Sequence, residues 1–198
     1  MVVKRVNRAC RSWLVGTLTL GLPLAGDVHA DESLWRALSE GGKVVLMRHS
    51  SLQKGSGSGD SLIRDPSCMQ EKNLSGSGRD EAKSVGERFR EKSIKVEKVL
   101  HSPYCRTSDT SKLSFGVTNP AEVLSLLQVL TPEQQKSRTE ELDILIGSYT
   151  GEGNMVLVTH EPNIRAVSFE ILNYSDLLIL NPEGNDAFEE LGVIRWKK

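Results

Sequence analysis

Val44-Val45-Leu46-Met47-Arg48-His49 and Met155-Val156-Leu157-Val158-Thr159-His160 are two short apolar runs that each end in a histidine. Apolar runs with no alternating polar positions describe strands buried on both faces, which is how the strands of a parallel sheet read. Between them lies Leu100-His101-Ser102-Pro103-Tyr104-Cys105-Arg106-Thr107, a third strand end followed by an arginine. In a parallel sheet the carboxyl ends of the strands share one edge, and ligands bind in the crevice there. His49, His160, Arg48 and Arg106 are therefore expected to converge on one crevice.

That set suits phosphoryl transfer from a monoester. A neutral imidazole can attack phosphorus in line, while two planar, permanently charged guanidiniums hold the equatorial oxygens and oppose the charge of the transition state. Such chemistry calls for neither a metal nor an organic cofactor. No Cys and His cluster has zinc spacing, and no Gly-x-x-x-x-Gly-Lys loop is present.

Four motifs in order carry a family resemblance. Leu46-Met47-Arg48-His49-Ser50 resembles the Arg-His-Gly signature of the histidine phosphatase (phosphoglycerate-mutase-like) superfamily, and Leu74-Ser75-x-x-Gly78-Arg79-x-x-Ala82 resembles its next helix start. Ser102-Pro103-x-x-Arg106-Thr107-x-x-Thr110 is similar to its second arginine motif, and Val158-Thr159-His160 to its second histidine. The resemblance covers about residues 33 to 172. The resemblance implies that His49 is the nucleophile that becomes phosphohistidine and that Arg48, Arg106 and His160 complete the phosphate pocket. In overall layout the chain is similar to the exported branch that contains lipopolysaccharide core heptose phosphatases, which implies a phosphosugar substrate at the cell envelope.

The chain departs from the pattern in two places. Ser50 stands where the superfamily carries glycine, so its hydroxyl is expected to alter or supplement the approach to phosphate as a substrate-binding group. No acidic motif names the general acid: Glu161 follows His160 directly, where another branch carries its acid, and Glu122 is a second candidate. These departures motivate a competing reading, a phosphate-recognising binding module with degenerate catalysis.

The 198 residues suffice for one domain with a sizeable core, and 38% hydrophobic against 26% charged residues describe an ordinary globular chain. A net charge of -1 gives no footing for a nucleic-acid partner, so the expected partner is a small phosphomonoester. Lys4, Arg5, Arg8 and Arg11 precede the apolar stretch Trp13 to Ala25, which is followed by Val28-His29-Ala30 and the acidic Asp31 and Glu32. This reads as a signal peptide over residues 1–30, cleaved after Ala30, with a phosphatase-like domain over 31–198 in the periplasm or outside the cell. Gly16, Gly21 and Pro23 interrupt the apolar stretch, which is short for a span of about 20 residues, so no stable membrane span is expected after cleavage. Removing residues 1–30 leaves 21 of the 25 basic and 25 of the 26 acidic residues, a mildly acidic protein.

Along the domain, Ser33 to Ser39 reads as a short helix ended by Gly41-Gly42. Ser50 to Lys72, rich in Gly and Ser, reads as a loop positioned to fold over the substrate. Ser75 is the expected N-cap of a helix to Lys92, Val96 to Leu100 a strand, and Tyr104 to Phe115 a helix with Arg106 in its first turn. Val123 to Val129 reads as a further strand, Thr131-Pro132-Glu133 as a helix start closing at Ile144 to Gly147, and Pro162 as the opening of a helix to Leu172. Asp176 to Leu180 and Ala187 to Trp196, joined by Asn181-Pro182-Glu183-Gly184-Asn185, read as a hairpin on the sheet edge. The expected fold is a three-layer α/β/α sandwich with a mostly parallel sheet. His101, claimed by no motif, has at most a secondary role in the pocket, and Ser102, lacking a Gly-x-Ser-x-Gly elbow, is read as shaping its turn.

The chain has three cysteines, and Cys10 departs with the signal peptide. Cys68, late in the loop after the first catalytic strand, and Cys105, beside Arg106, remain in a compartment where disulfides persist, and are expected to pair.

Overall fold

The computed structural model describes residues 26–55 and 57–196. Most of the expected signal peptide lies outside these residues. Helix α1 (Gly26–Glu40) runs longer than the expected Ser33–Ser39 and ends at Gly41 and Gly42, both at positive φ, which turn the chain into β1 (Val44–Arg48). Then follow α2 (Gly76–Glu91), β2 (Val96–His101), α3 (Cys105–Phe115), α4 (Pro132–Gly147), β3 (Asn154–Thr159), α5 (Glu161–Val167), and the hairpin β4 (Leu177–Gly184) and β5 (Ala187–Ile194).

The sheet order is β2-β3-β1-β4-β5. β1 and β2 both pair parallel with β3, while β4 runs antiparallel to β1 and β5 to β4, so the hairpin closes one edge as expected. Alternate side chains of β1 and β3 go to opposite layers. Val45, Met47, Val156 and Val158 pack with Leu34 and Leu38 of α1 and Val85 and Phe89 of α2. Val44, Leu46, Met155 and Leu157 pack with Leu142 and Ile146 of α4 and Ile164 of α5. At about 25 cal/mol per Å² of apolar surface, each fully buried aliphatic side chain contributes about 1.5–3 kcal/mol, and the parallel pairing of β1 with β3 puts both histidines at the same edge of the sheet.

Local chemistry sets the helix starts. Ser75 Oγ accepts the Gly78 N–H at 2.9 Å, and Thr131 with Gln134 forms a reciprocal capping box ahead of Pro132. Gly78 has a second reason: a Cβ there would collide with the Ser51 carbonyl oxygen, so only glycine lets α2 lie against the chain two residues after His49.

Two expectations are corrected. Val123 to Val129 is not a strand but two 3-10 turns, Glu122–Leu124 and Leu127–Val129. Side chains satisfy their backbone instead of a ladder: Asn163 accepts from Leu127 N and donates to the Ser125 carbonyl, and Thr159 Oγ1 donates to the Leu124 carbonyl. Helix α5 stops at Val167 rather than Leu172, where the Ser168 hydroxyl accepts the Glu170 N–H and offers the chain a turn in place of another helical step. Among the described residues no helix is long and apolar enough to cross a membrane.

Candidate active site

The parallel pairing puts the carboxyl ends of β1, β2 and β3 side by side, and the residues just past them share one cavity of about 210 Å³. Arg48, His49, Arg106, His160 and Glu161 all line it, with Tyr174 from the segment between α5 and β4. The expected convergence of two histidines and two arginines is therefore the arrangement found.

His49 is buried, and its backbone N–H donates to the Thr159 carbonyl at 3.0 Å. Its Nδ1 lies 2.9 Å from the Ser50 carbonyl, which can only accept, so Nδ1 carries the proton. Nε2 is then the basic nitrogen left for the cavity. Burial, and next the Arg106 charge, lower the His49 pKa to about 3, so the ring is neutral across ordinary pH. The His160 ring lies 5.5 Å from it, centroid to centroid. His160 Nε2 meets Ser102 Oγ at 2.7 Å, and burial with Arg106 pushes its pKa well below the usual value. Its Nδ1 is buried with no partner among the described residues.

The guanidiniums are held from two sides. Arg48 Nη1 donates to the Leu172 carbonyl at 2.6 Å while its plane lies over the Tyr174 ring at 4.2 Å. Arg106 Nη2 donates to the Ser61 carbonyl at 2.9 Å over the Tyr104 ring at 4.3 Å. Arg48 Nε and Arg106 Nε and Nη1 are buried donors without partners among the described residues. A cavity bordered by unsatisfied donors on two cations, with neutral imidazoles between, is built to receive an anion.

The loop over residues 51–72 closes one side of this cavity, supplying Leu52, Ser61 and Leu62. It is tied to the start of α3 by the Cys68–Cys105 disulfide, whose Cα atoms are 5.8 Å apart, as expected from the sequence. Tyr104 Oη also donates to the Leu62 carbonyl at 3.1 Å, and buried Glu71 accepts the Cys105 N–H at 2.8 Å. That carboxylate caps the α3 N-terminus, where Tyr104 makes no side-chain cap, and its charge favours the cationic form of Arg106 against the burial that lowers its pKa.

Ser50 is placed differently from its expected substrate-binding role. Its hydroxyl lies 2.8 Å from Ser175 Oγ, its N–H donates to Thr110 Oγ1, and the residue is fully buried away from the cavity. The hydrogen bond to Ser175 turns the hydroxyl away from the cavity and explains the difference. Of the two acid candidates, Glu161 lines the cavity and meets Arg165 Nε at 3.6 Å, whereas Glu122 is exposed and pairs with Arg64 at 3.0 Å. His101 is buried but lies off the cavity, its Nδ1 on the Ser102 carbonyl. Ser102 does more than shape a turn, since it fixes the His160 ring. Tyr174, Tyr104 and Glu71 escaped the sequence reading; the tyrosine beside Cys105-Arg106 was the one with a usable signal, a ring two residues from a cation. Among the described residues no group of three or more His, Cys, Asp or Glu is placed to hold a metal ion.

No protein-family model matches the sequence, and no curated protein matches it. Solved structures do share its fold. The protein histidine phosphatase SixA complexed with tungstate superposes with a TM-score of 0.51 at 13% identity, over 78% of this chain and 97% of its own. A mycobacterial glucosyl-3-phosphoglycerate phosphatase gives 0.52 at 16% identity, over 75% and 96%. A phosphoserine phosphatase mutant from Entamoeba histolytica with phosphoserine gives 0.54 at 11% identity, over 78% and 98%.

Proposed function

We propose that the protein is an exported phosphomonoesterase that works through a phosphohistidine on His49, without a metal, and acts on a phosphosugar of the cell envelope. The observation that carries the reading is the Nδ1-protonated, neutral His49 facing the same small cavity as the unpartnered donors of Arg48 and Arg106. Its fold, shared with solved phosphatases, supports it, and the disulfide is consistent with an oxidising compartment.

In the proposed reaction the Arg48 and Arg106 guanidiniums and the neutral His160 bind the phosphoryl oxygens, and His49 Nε2 attacks phosphorus. A P–N bond forms as the P–O bond to the leaving group breaks, and the leaving oxygen takes a proton from Glu161. Water then attacks the phosphohistidine, giving its proton back to Glu161, and inorganic phosphate leaves with the His49 lone pair restored. Because His49 is already neutral, no proton has to be removed from the nucleophile.

The test is labelling by a phosphomonoester: wild-type protein acquires an acid-labile, base-stable phosphate on His49 and turns over, and His49→Ala does neither. Phosphate binding with no label in wild type would leave a binding module instead.

A further inference from the structure

Two grooves open beside the phosphoryl cavity, and their charges differ. One, of about 670 Å³, shares Gln128, Glu161 and Pro162 with the cavity and carries Lys136 and Arg165. Both cations already have carboxylates: Lys136 meets Glu140 at 3.8 Å and Arg165 meets Glu161 at 3.6 Å. The other, of about 650 Å³, shares Leu52, Ser61 and Tyr174 with the cavity. It is lined by Lys54 and Lys72 and by no acidic side chain. Among the described residues neither lysine has an ion-pair partner, although the domain as a whole carries more acidic than basic residues.

We propose that this second groove is a subsite for the leaving group, and that the substrate is a hydroxyl-bearing phosphomonoester with a second anionic group that Lys54 and Lys72 neutralise. The inference rests on the phosphomonoesterase reading and names its substrate class. Three features support it together. The groove joins the cavity through shared walls, so one molecule can place its phosphoryl group at His49 and its remainder between the lysines. Gln53, Ser61 and Ser77 add donors and acceptors suited to hydroxyls, whereas Leu52 and Tyr174 are its few apolar walls. Uncompensated positive charge in a concave, partly enclosed wall attracts an anion over a longer range than a flat surface does. A leaving group that is neutral or apolar would leave both lysines unused. Lys72 follows Glu71, the cap of α3, so the cation sits on the part of the loop already fixed to Cys105 at the start of that helix.

The experiment measures binding, so that it does not depend on turnover. Purified His49→Ala protein is titrated calorimetrically at low salt with glucose 6-phosphate, glucose 1-phosphate and glucose 1,6-bisphosphate. The bisphosphate is expected to bind about tenfold more tightly than either monophosphate, beyond the roughly twofold statistical gain of having two phosphates. Adding Lys54→Ala and Lys72→Ala is expected to reduce the preference to that statistical factor, and raising salt to shrink it in the parent protein. Equal affinities, or a preference that survives loss of both lysines, would overturn the subsite. Failure of wild-type protein to hydrolyse any of the three sugars, with the binding preference intact, would sink the enzymatic reading and leave the anion subsite standing.

Discussion

Replacing both disulfide cysteines, Cys68→Ser with Cys105→Ser, should destabilise the protein by about 4 kcal/mol. The bond closes a segment with a sequence separation of 37. The chain-entropy relation for a loop of that length gives a loss of about 13 cal/mol/K from the unfolded ensemble, hence about 4 kcal/mol at room temperature. In the folded protein the loop keeps its other ties to α3, from Tyr104 Oη to the Leu62 carbonyl, from Arg106 to the Ser61 carbonyl and from Cys105 N to Glu71. The native structure should therefore survive, and the cost should fall on the unfolded state. For a domain of this size the loss corresponds to about 8–16 °C in melting temperature.

Urea unfolding followed by the fluorescence of buried Trp35, in wild type and double variant without reductant, measures it. The variant's midpoint should drop and its m-value rise, since an uncrosslinked unfolded chain exposes more surface. Wild type treated with a dithiol should copy the variant. A loss below about 1 kcal/mol with an unchanged m-value would refute the reasoning, because it would mean that the loop is confined in the unfolded state without the bond. KM should also rise more than kcat falls, as the loop walls the cavity but supplies no reacting atom.

His49→Ala is expected to abolish hydrolysis, and His160→Ala to slow it by about 10²–10³-fold while remaining folded, with residual turnover by purified His49→Ala the refuting result. Activity should survive excess chelator, and a loss restored by a divalent ion would sink the metal-free mechanism. Stability should fall as pH drops from 6.5 toward 3: the unfolded His49 protonates near 6.5 while the folded ring waits until about 3, a cost reaching about 5 kcal/mol at the lower end, with His160 adding the same sign. A urea midpoint that stays level between pH 7 and pH 4, or one that His49→Gln leaves just as steep, would contradict that. The mature N-terminus should be Asp31, and mass spectrometry finding Met1 or Val2 retained in exported protein would point to an anchor.

What could be read from the sequence was what local chemistry determines. A parallel core strand must be apolar at every position, so Val44–Met47 and Met155–Val158 announce themselves, and whatever follows them must sit at one edge of the sheet. Ser75 and Thr131-Pro132 are caps whose partners lie three residues away. The errors came where partners are far off in sequence. Val123 to Val129 has the composition of a strand, but Thr159 and Asn163 supply its hydrogen bonds from 35 and more residues away. The Ser50 hydroxyl is claimed by Ser175, 125 residues later. Tyr174 reaches the cavity because α5 stops early at Ser168, and no hydrophobic period marks a residue in an irregular segment. Glu71 sits in a polar loop, where a carboxylate reads as solvated; only the fold shows it buried under Cys105.

The same distant contacts explain how so much positive charge stays buried. Arg106 is 2% exposed, and burial works against its charge, yet among the described residues no carboxylate bonds its guanidinium. Instead one nitrogen rests on a backbone carbonyl, a tyrosine face lies beneath, and Glu71 stands one helix position away with its oxygens spent on backbone N–H groups. A direct ion pair with Glu71 would neutralise the donors that a phosphoryl group needs, and a closer carboxylate would repel that group. Holding the carboxylate on Cys105 N moves it to where it orients the helix and supports the cation without competing for the cavity. The disulfide and the loop then keep this under-compensated guanidinium out of water. Stability is given up for donors already aimed at where charge develops, and a bound phosphoryl group returns part of it by satisfying Arg48 Nε and Arg106 Nε and Nη1 together.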